Sequence, residues 1–305
     1  MAKAGKSLAP VAARLRVAAV QMVFAASIEE NLRTIGRMVA HLGKDAVDVV
    51  LFPECATTGY AGSFDGLDPG ELRSVAATLS ALAAQHRIQL LVGSPVLLGR
   101  RLHNALLVFD RRGRLVHVYV KCQLTERDRQ WFTPGDCLSL FPLDGVEATS
   151  ILCHERRYPE LVRIPVMAGA RIVFHPNAGL DSRAVSRSKH RGRDGIAVRA
   201  FENAVFYVFA NSVGPQGGGL WSAGDSKIVA PDGTVLGLAD NRSESVVVAD
   251  LELAKATGRY ARESLEHPHF MKHHWRRILS EFRRRLGASD QAFRKALTPR
   301  GPVVS

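Results

Sequence analysis

A chain of 305 residues, 46% hydrophobic and 23% charged, is long enough for one large domain or two small ones and for a substantial core. No segment approaches the ~20 continuous apolar residues that a membrane span needs. The formal net charge of +12 leaves nucleic acid, an acidic surface and an anionic substrate open as partners. The positive excess gathers in SRAVSRSKHRGR (182–193) and HHWRRILSEFRRRLG (273–287), which read as two solvated basic faces. No zinc-finger, RNP or other nucleic-acid motif accompanies them, so no nucleic-acid partner is expected.

At the N-terminus, Lys3 and Lys6 precede an apolar run that loosely imitates a secretory signal. Arg14, Arg16 and Gln21 interrupt that run, and LRVAAVQM suits an opening strand. Residues 27–43 read as an amphipathic helix, with Ile28, Leu32, Ile35, Val39 and Leu42 at helical spacing. Ser27 and Glu30 offer a capping box. VDVVLF (47–52) is a continuous apolar strand suited to burial on both faces. Leu72, Val75, Leu79 and Leu82 mark a second helix, and IQLLVG (88–93) another strand. HNALLVFD and RLVHVYVK flank Arg111-Arg112-Gly113, a hairpin signal with glycine where a positive φ is needed.

The second half resumes the theme. VEATSILC is a strand, Pro159 suits a first helical turn, and Pro165 should kink or shorten the helix that follows. RIVFHP and AVFYVFAN are strands around a helical DGIAVRAFENA. KIVAPDGTVLGLA is a hairpin through Asp232-Gly233, and SVVVADL closes the series. Strands and helices interleave without a Pro/Gly/Ser-rich linker, which predicts one α/β domain followed by a basic helical extension.

Three polar residues fall where strands run out: Glu54 after VVLFP, Lys121 after RLVHVYV and Cys153 after TSIL. Strand ends on one rim of a sheet hold reacting groups on rigid supports. A nucleophile, a base and a cation are the components of acyl transfer. In that chemistry Cys153 attacks a carbonyl carbon and Glu54 takes and returns protons. Lys121 and a backbone N–H near His154 stabilise the oxyanion. The setting beside Lys121 is expected to favour a thiolate. A Cys153–His154 pair is the competing arrangement, set aside because neighbours on a strand face opposite ways. The four cysteines show no CxxC spacing, which argues against a disulfide framework or a zinc site and fits a cytoplasmic protein. His267, His269, His273 and His274 form no recognisable ligand pattern, so no metal is expected.

The segments FPECATTGY, YVKCQL with FTPGD, and ILCHERRYPE resemble the three catalytic segments of the nitrilase, or carbon-nitrogen hydrolase, superfamily. RAFENAVFYVFANSVG and SKIVAPDGTVLGLA are similar to its later segments, in family order. The resemblance implies a four-layer αββα sandwich that dimerises or assembles further, and no cofactor. It implies roles for Glu54 as general base, Lys121 as oxyanion cation and Cys153 as nucleophile. It divides the chain into an N-terminal tail (1–13), a hydrolase domain (14–252) and a helical extension (253–305) that packs on a partner subunit. Many members carry a second active-site glutamate before the aromatic pair of the FTPG segment. Here Asp128 stands at about that place and Glu126 two residues earlier, and Asp128 is expected to serve.

Around the cysteine, CHERRYPE resembles the N-carbamoyl-D-amino-acid amidohydrolases, in which an arginine of this turn holds the substrate carboxylate. Arg156 is the candidate, with Arg183, Arg187 and Lys189 adding positive charge nearby. Glu155, Arg157 and Glu160 are expected only to pin the turn and the helix start. His154 would support the site, and Asn177 with the 179–193 loop would line the pocket. The substrate implied is a small amide or N-carbamoyl compound, anionic if Arg156 grips it. The alternatives are an N-acyltransferase of the same fold and a nucleic-acid binder using the basic tail.

Overall fold

The computed structural model describes residues 14–60, 63–189 and 195–298, with the backbone alone at 288 and 289. The expected N-terminal tail therefore lies outside the described residues. The first half runs β1 (Arg14–Gln21), α1 (Ile28–Lys44), β2 (Val49–Leu51), α2 (Pro69–His86), β3 (Gln89–Leu98), β4 (Arg101–Phe109) and β5 (Leu115–Val120). Ser27 caps α1, its Oγ accepting from the Glu30 N–H at 3.2 Å, as the S-x-x-E pattern implies. Strand β3 is longer than its apolar run suggested: it continues to Leu98 and pairs with β4 in a second hairpin.

The second half runs β6 (Phe141–Leu143), β7 (Val146–Ser150), α3 (Glu160–Met167), β8 (Ile172–Asn177), β9 (Asp181–Ser182), α4 (Arg183–Ser188), α5 (Ile196–Asn203) and β10 (Phe206–Asn211). It continues through β11 (Val213–Gly217), β12 (Leu220–Ala223), β13 (Lys227–Val229), β14 (Val235–Leu238) and β15 (Ser245–Glu252). Pro165 lies inside α3, and the helix stops soon after it, at Met167. The described part of the 179–193 loop is ordered into β9 and α4, and β9 joins β12 and β11 in a small separate sheet.

Two six-stranded sheets make the centre, in the orders β15-β1-β2-β3-β4-β5 and β14-β13-β10-β8-β7-β6. Their inner faces meet through Val17, Leu51, Leu91 and Val108 from one and Phe141, Ile172, Phe174 and Val208 from the other. Ile35, Val39, Val75 and Leu79 of α1 and α2 cover the outer face of the first sheet. Val162, Val166 and Ala200 of α3 and α5 cover the second. This is the four-layer αββα sandwich. Strands β1, β2 and β3 are parallel, and β5 returns to their direction through two antiparallel pairings. The C-terminal ends of β2 and β5 thus share a rim.

After β15 come α6 (Arg259–Glu263), α7 (Lys272–Arg285) and α8 (Ala288–Leu297). The extension folds back on its own chain. Leu279 of α7 joins the outer layer over the second sheet, and Phe293 and Leu297 of α8 join that over the first. Asp290 accepts from the Val118 N–H at 2.6 Å, covering the free edge of β5.

Candidate active site

Glu54 and Cys153 stand a short turn beyond β2 and β7, and Lys121 follows β5 directly. The Glu54 turn lies so close to β3 that only glycine fits at position 93. A Cβ there would sit 2.3 Å from the Pro53 carbonyl oxygen, 2.6 Å from Glu54 Cα and 2.7 Å from Cys55 N. Cys153 opens a short 3₁₀ turn, Cys153–Arg157, with φ of 47°. A left-handed backbone costs a non-glycine residue ~1–2 kcal/mol, so something must hold it. Glu155 is one such holder. Its buried carboxylate accepts from the Leu152 N–H (2.7 Å), the Cys122 N–H (2.7 Å), the Gln123 N–H (3.0 Å) and the Tyr119 hydroxyl (2.8 Å). One side chain thereby ties the cysteine turn to the segment that carries Lys121. Arg157 and Glu160, expected to share that work, are exposed.

The charges of the site are dry. Lys121 Nζ lies 2.7 Å from Glu54 Oε1 and 2.9 Å from Asp128 Oδ2, and all three side chains are at most 1% exposed. Asn104 Nδ2 donates to Glu54 Oε1 at 2.8 Å, and the Ala178 N–H donates to Oε2 at 3.1 Å. Burial raises the Glu54 pKa, Lys121 pulls it back, and Asp128 adds to the rise. Burial would neutralise Lys121, but Glu54 leads the opposing charges and holds its pKa well above the usual lysine value. Asp128 is anchored by the Tyr60 hydroxyl and by the N–H (2.8 Å) and Oγ1 (2.9 Å) of Thr125. Burial works against its charge too, yet Lys121 and the Tyr60 bond outweigh it, so its pKa is lowered. Glu126 is exposed. Of the two acids considered, the structure brings Asp128 to Lys121.

The setting works against the expected thiolate. Burial, with Glu54 next, pushes the Cys153 thiol up to about 12, and neither Lys121 nor the Ala178 N–H offsets them. The cation beside the sulfur is already matched by two carboxylates, so little positive potential remains for a thiolate. Burial also raises the other three: Cys137 to about 11, Cys122 to about 12, and Cys55 well above its usual value. At neutral pH this arrangement is a neutral thiol next to a buried carboxylate able to accept its proton.

Cys153 opens on a cleft of about 430 Å³ lined by Thr125, His154, Arg156, Asn177, Asp181 and Asp225 among others. His154 is not on a strand, so the stated ground for discounting it was wrong. It sits in the 3₁₀ turn with its Nε2 3.5 Å from the Tyr158 hydroxyl. Burial and the nearby Lys121 lower its pKa. Asn177 Nδ2 donates to Asn211 Oδ1 at 2.7 Å. Among the described residues the Arg156 side chain has no ion pair, whereas Lys189 pairs with Asp181 and Arg183 lies over the Trp221 ring, 4.8 Å from its centre. Sequence reasoning missed Asn104, Tyr60 and Thr125. Asn104 had a signal: a lone amide within the apolar strand HNALLVF must find a partner once buried. Among the described residues no group of three or more His, Cys, Asp or Glu side chains could hold a metal ion.

An αββα sandwich whose rim gathers a carboxylate, an ammonium and a thiol has the build of an α/β enzyme. Comparison with known proteins gives the family. The chain belongs to the carbon-nitrogen hydrolases, whose family model matches residues 16–260. It is 28% identical over 244 residues to the 2-oxoglutaramate amidase of Bacillus subtilis, covering 77% of this chain and 89% of that one. It is 29% identical over 215 residues to an (R)-stereoselective amidase of a Pseudomonas species, covering 70% and 76%. Among solved structures, the nitrilase-superfamily amidase of Nesterenkonia sp. AN1 superposes with a TM-score of 0.73 at 23% identity, over 88% of this chain and 100% of that one. Another structure of that amidase carries the acetamide moiety of fluoroacetamide covalently on its active-site cysteine.

Proposed function

We propose that this chain hydrolyses the C–N bond of a small amide or N-carbamoyl compound bearing a carboxylate, through a thioester on Cys153. The observation that carries the reading is the dry 2.7 Å contact between Glu54 and Lys121, in a setting where burial and Glu54 raise the pKa of the Cys153 thiol. Glu54 removes the thiol proton as the sulfur electron pair attacks the carbonyl carbon. The C=O π pair moves onto oxygen, where Lys121 and the His154 backbone N–H stabilise it. Collapse breaks the C–N bond, and Glu54 delivers its proton to the departing nitrogen. Water then attacks the thioester, Glu54 takes its proton, and the sulfur leaves and regains it. Asp128 keeps Lys121 charged and in place. The amidase relatives support an amide substrate, and the Nesterenkonia cysteine that carries the acetamide moiety of fluoroacetamide, an alkylated rather than acylated sulfur, supports a nucleophilic cysteine.

Arg156 supports the carboxylate, because it faces the cleft with no ion pair among the described residues. A guanidinium binds a carboxylate through two parallel bonds and so fixes orientation as well as charge. Asn177 contributes a fixed polar wall. The test is a screen of amides and N-carbamoyl compounds for ammonia release, followed by acid and esterified forms of the best substrate on wild type and Arg156→Ala. The acid form should be preferred by wild type, and the mutation should remove most of that preference. No ammonia from any compound would sink the hydrolase reading, and equal kcat/KM for the two forms would sink the carboxylate. Product formed only when an amine is supplied would point instead to an N-acyltransferase.

The same proposal treats 14–252 as the hydrolase unit and 253–305 as an extension, in a cytoplasmic homodimer. The four free thiols support a reducing compartment. The exposed apolar side chains Val198, Phe201 and Tyr260 on α5 and α6 support the dimer. Light scattering on wild type and Phe201→Glu tests the latter; a monomeric wild type would refute it.

A further inference from the structure

We infer that His175, held by Tyr207, is a positioning residue that aims the oxyanion-stabilising N–H of His154 by gripping the other end of the same peptide unit. The inference rests on the thioester chemistry proposed at Cys153. His175 lies on β8 and Tyr207 on the neighbouring β10, both with no exposed surface. His175 Nε2 is 3.0 Å from the Cys153 carbonyl oxygen, and the Tyr207 hydroxyl is 2.9 Å from His175 Nδ1.

The direction of this chain follows from its end. A carbonyl oxygen can only accept, so Nε2 carries the hydrogen. Burial, with Arg156 next, presses the His175 pKa down to about 3, so the ring is neutral and Nδ1 is bare. Tyr207 must therefore donate to it. The Tyr207 ring meets the imidazole edge-on, and Phe209 packs on it at 4.9 Å between centres.

The grip matters because of what lies across the peptide. Among the described residues the single cis bond is His267–Pro268, so the Cys153–His154 peptide is trans. In a planar trans unit the N–H points opposite to the C=O. Fixing the Cys153 oxygen toward β8 therefore fixes the His154 N–H away from it. That N–H has no acceptor among the described residues, and His154 lines the cleft. Cys153 needs such a hold, since its backbone sits in the left-handed region, where a non-glycine residue tends to relax. Glu155 secures the peptide before Cys153, its backbone N–H donating to the Leu152 carbonyl oxygen at 3.0 Å, and His175 secures the one after.

The test separates oxyanion stabilisation from thiol reactivity, using the full chain and the variants His175→Phe, His175→Gln and Tyr207→Phe, each checked by circular dichroism. Iodoacetamide alkylates the thiol at a saturated carbon: an S–C bond forms, iodide leaves, the thiol proton is lost, and no oxyanion appears. Butyraldehyde adds to the thiol: an S–C bond forms, and the carbonyl π pair moves to oxygen, which takes the proton. Its binding is read as protection of Cys153 from alkylation. Misdirecting one oxyanion donor should weaken aldehyde binding by His175→Phe about 10-fold or more and leave the alkylation rate within ~3-fold. His175→Gln, which keeps an N–H donor, should recover most of the loss, and Tyr207→Phe should show a smaller loss. On a turned-over amide, kcat should fall with KM nearly unchanged. Unchanged aldehyde binding, alkylation falling in parallel with it, or glutamine no better than phenylalanine would each overturn the inference. Should His175→Phe fail to fold, the Tyr207→Phe comparison decides alone. A wild type protected by aldehyde yet inactive on every amide would defeat the proposed function, and the variants would still test the positioning.

Discussion

Replacing Gly93 with alanine adds one methyl group that touches no substrate, and it should cost about 100-fold in kcat/KM. The methyl would meet Pro53 O, Glu54 Cα and Cys55 N at 2.3, 2.6 and 2.7 Å, where ordinary contacts begin near 3.4 Å. Relief requires a movement of roughly 0.7–1 Å, and an error of about 1 Å in a reacting group can cost ~10² in rate. Strand β3 is paired on both sides, with β2 and β4, so the turn carrying Glu54 is the softer partner. Its displacement breaks the 2.7 Å contact with Lys121 and the 3.1 Å bond from the Ala178 N–H together. Overpacking should also lower stability by about 1–3 kcal/mol. Gly113→Ala is the control: φ is +76° and a Cβ would lie 2.4 Å from the Ser80 carbonyl oxygen, in the β4–β5 turn away from the site. It should lose stability and keep the turnover of its folded fraction. The assay is ammonia release under saturating and limiting substrate, with thermal melts on both variants. A folded Gly93→Ala protein within ~3-fold of wild-type kcat/KM would refute the claim that this contact sets the position of Glu54.

Four further outcomes are expected. Turnover requires ionised Glu54, so it should be lost as pH falls through a pKa that burial has raised; an acid limb at or below the ordinary glutamate value, about 4.3, would contradict this. Alkylation of Cys153 should keep rising toward its pKa of about 12, and a plateau near pH 7 would mean that a thiolate preexists. Asp128→Asn removes a negative neighbour of Glu54, so the acid limb should move to lower pH while kcat falls, and Glu126→Gln should leave the profile in place; a limb that moves upward reverses the assignment. Glu155→Ala strands three backbone N–H groups and should cost about 3–5 kcal/mol in denaturant unfolding, and a loss under ~1 kcal/mol would show that the turn is held elsewhere.

Much of this protein follows from local rules that a sequence displays openly. The Ser27-x-x-Glu30 box, the apolar spacing of Ile35, Val39 and Leu42, and Gly113 in its turn are short-range patterns, and each element formed where they placed it. Glu54, Lys121 and Cys153 were legible because each follows an apolar strand, and strands of common direction end on a common rim. The remainder depends on contacts far apart in the chain. Asn104 reaches Glu54 across 50 residues, Tyr60 reaches Asp128 across 68, and Ala178 reaches Glu54 across 124. No local pattern encodes such distances. The state of the thiol shows the difference most clearly. A cysteine among His, Glu and Arg in sequence suggests an electropositive pocket, but a pKa answers to distance and burial in three dimensions. Only the fold decided that Lys121 is shared between two buried carboxylates, and that sharing leaves desolvation to push the Cys153 thiol up.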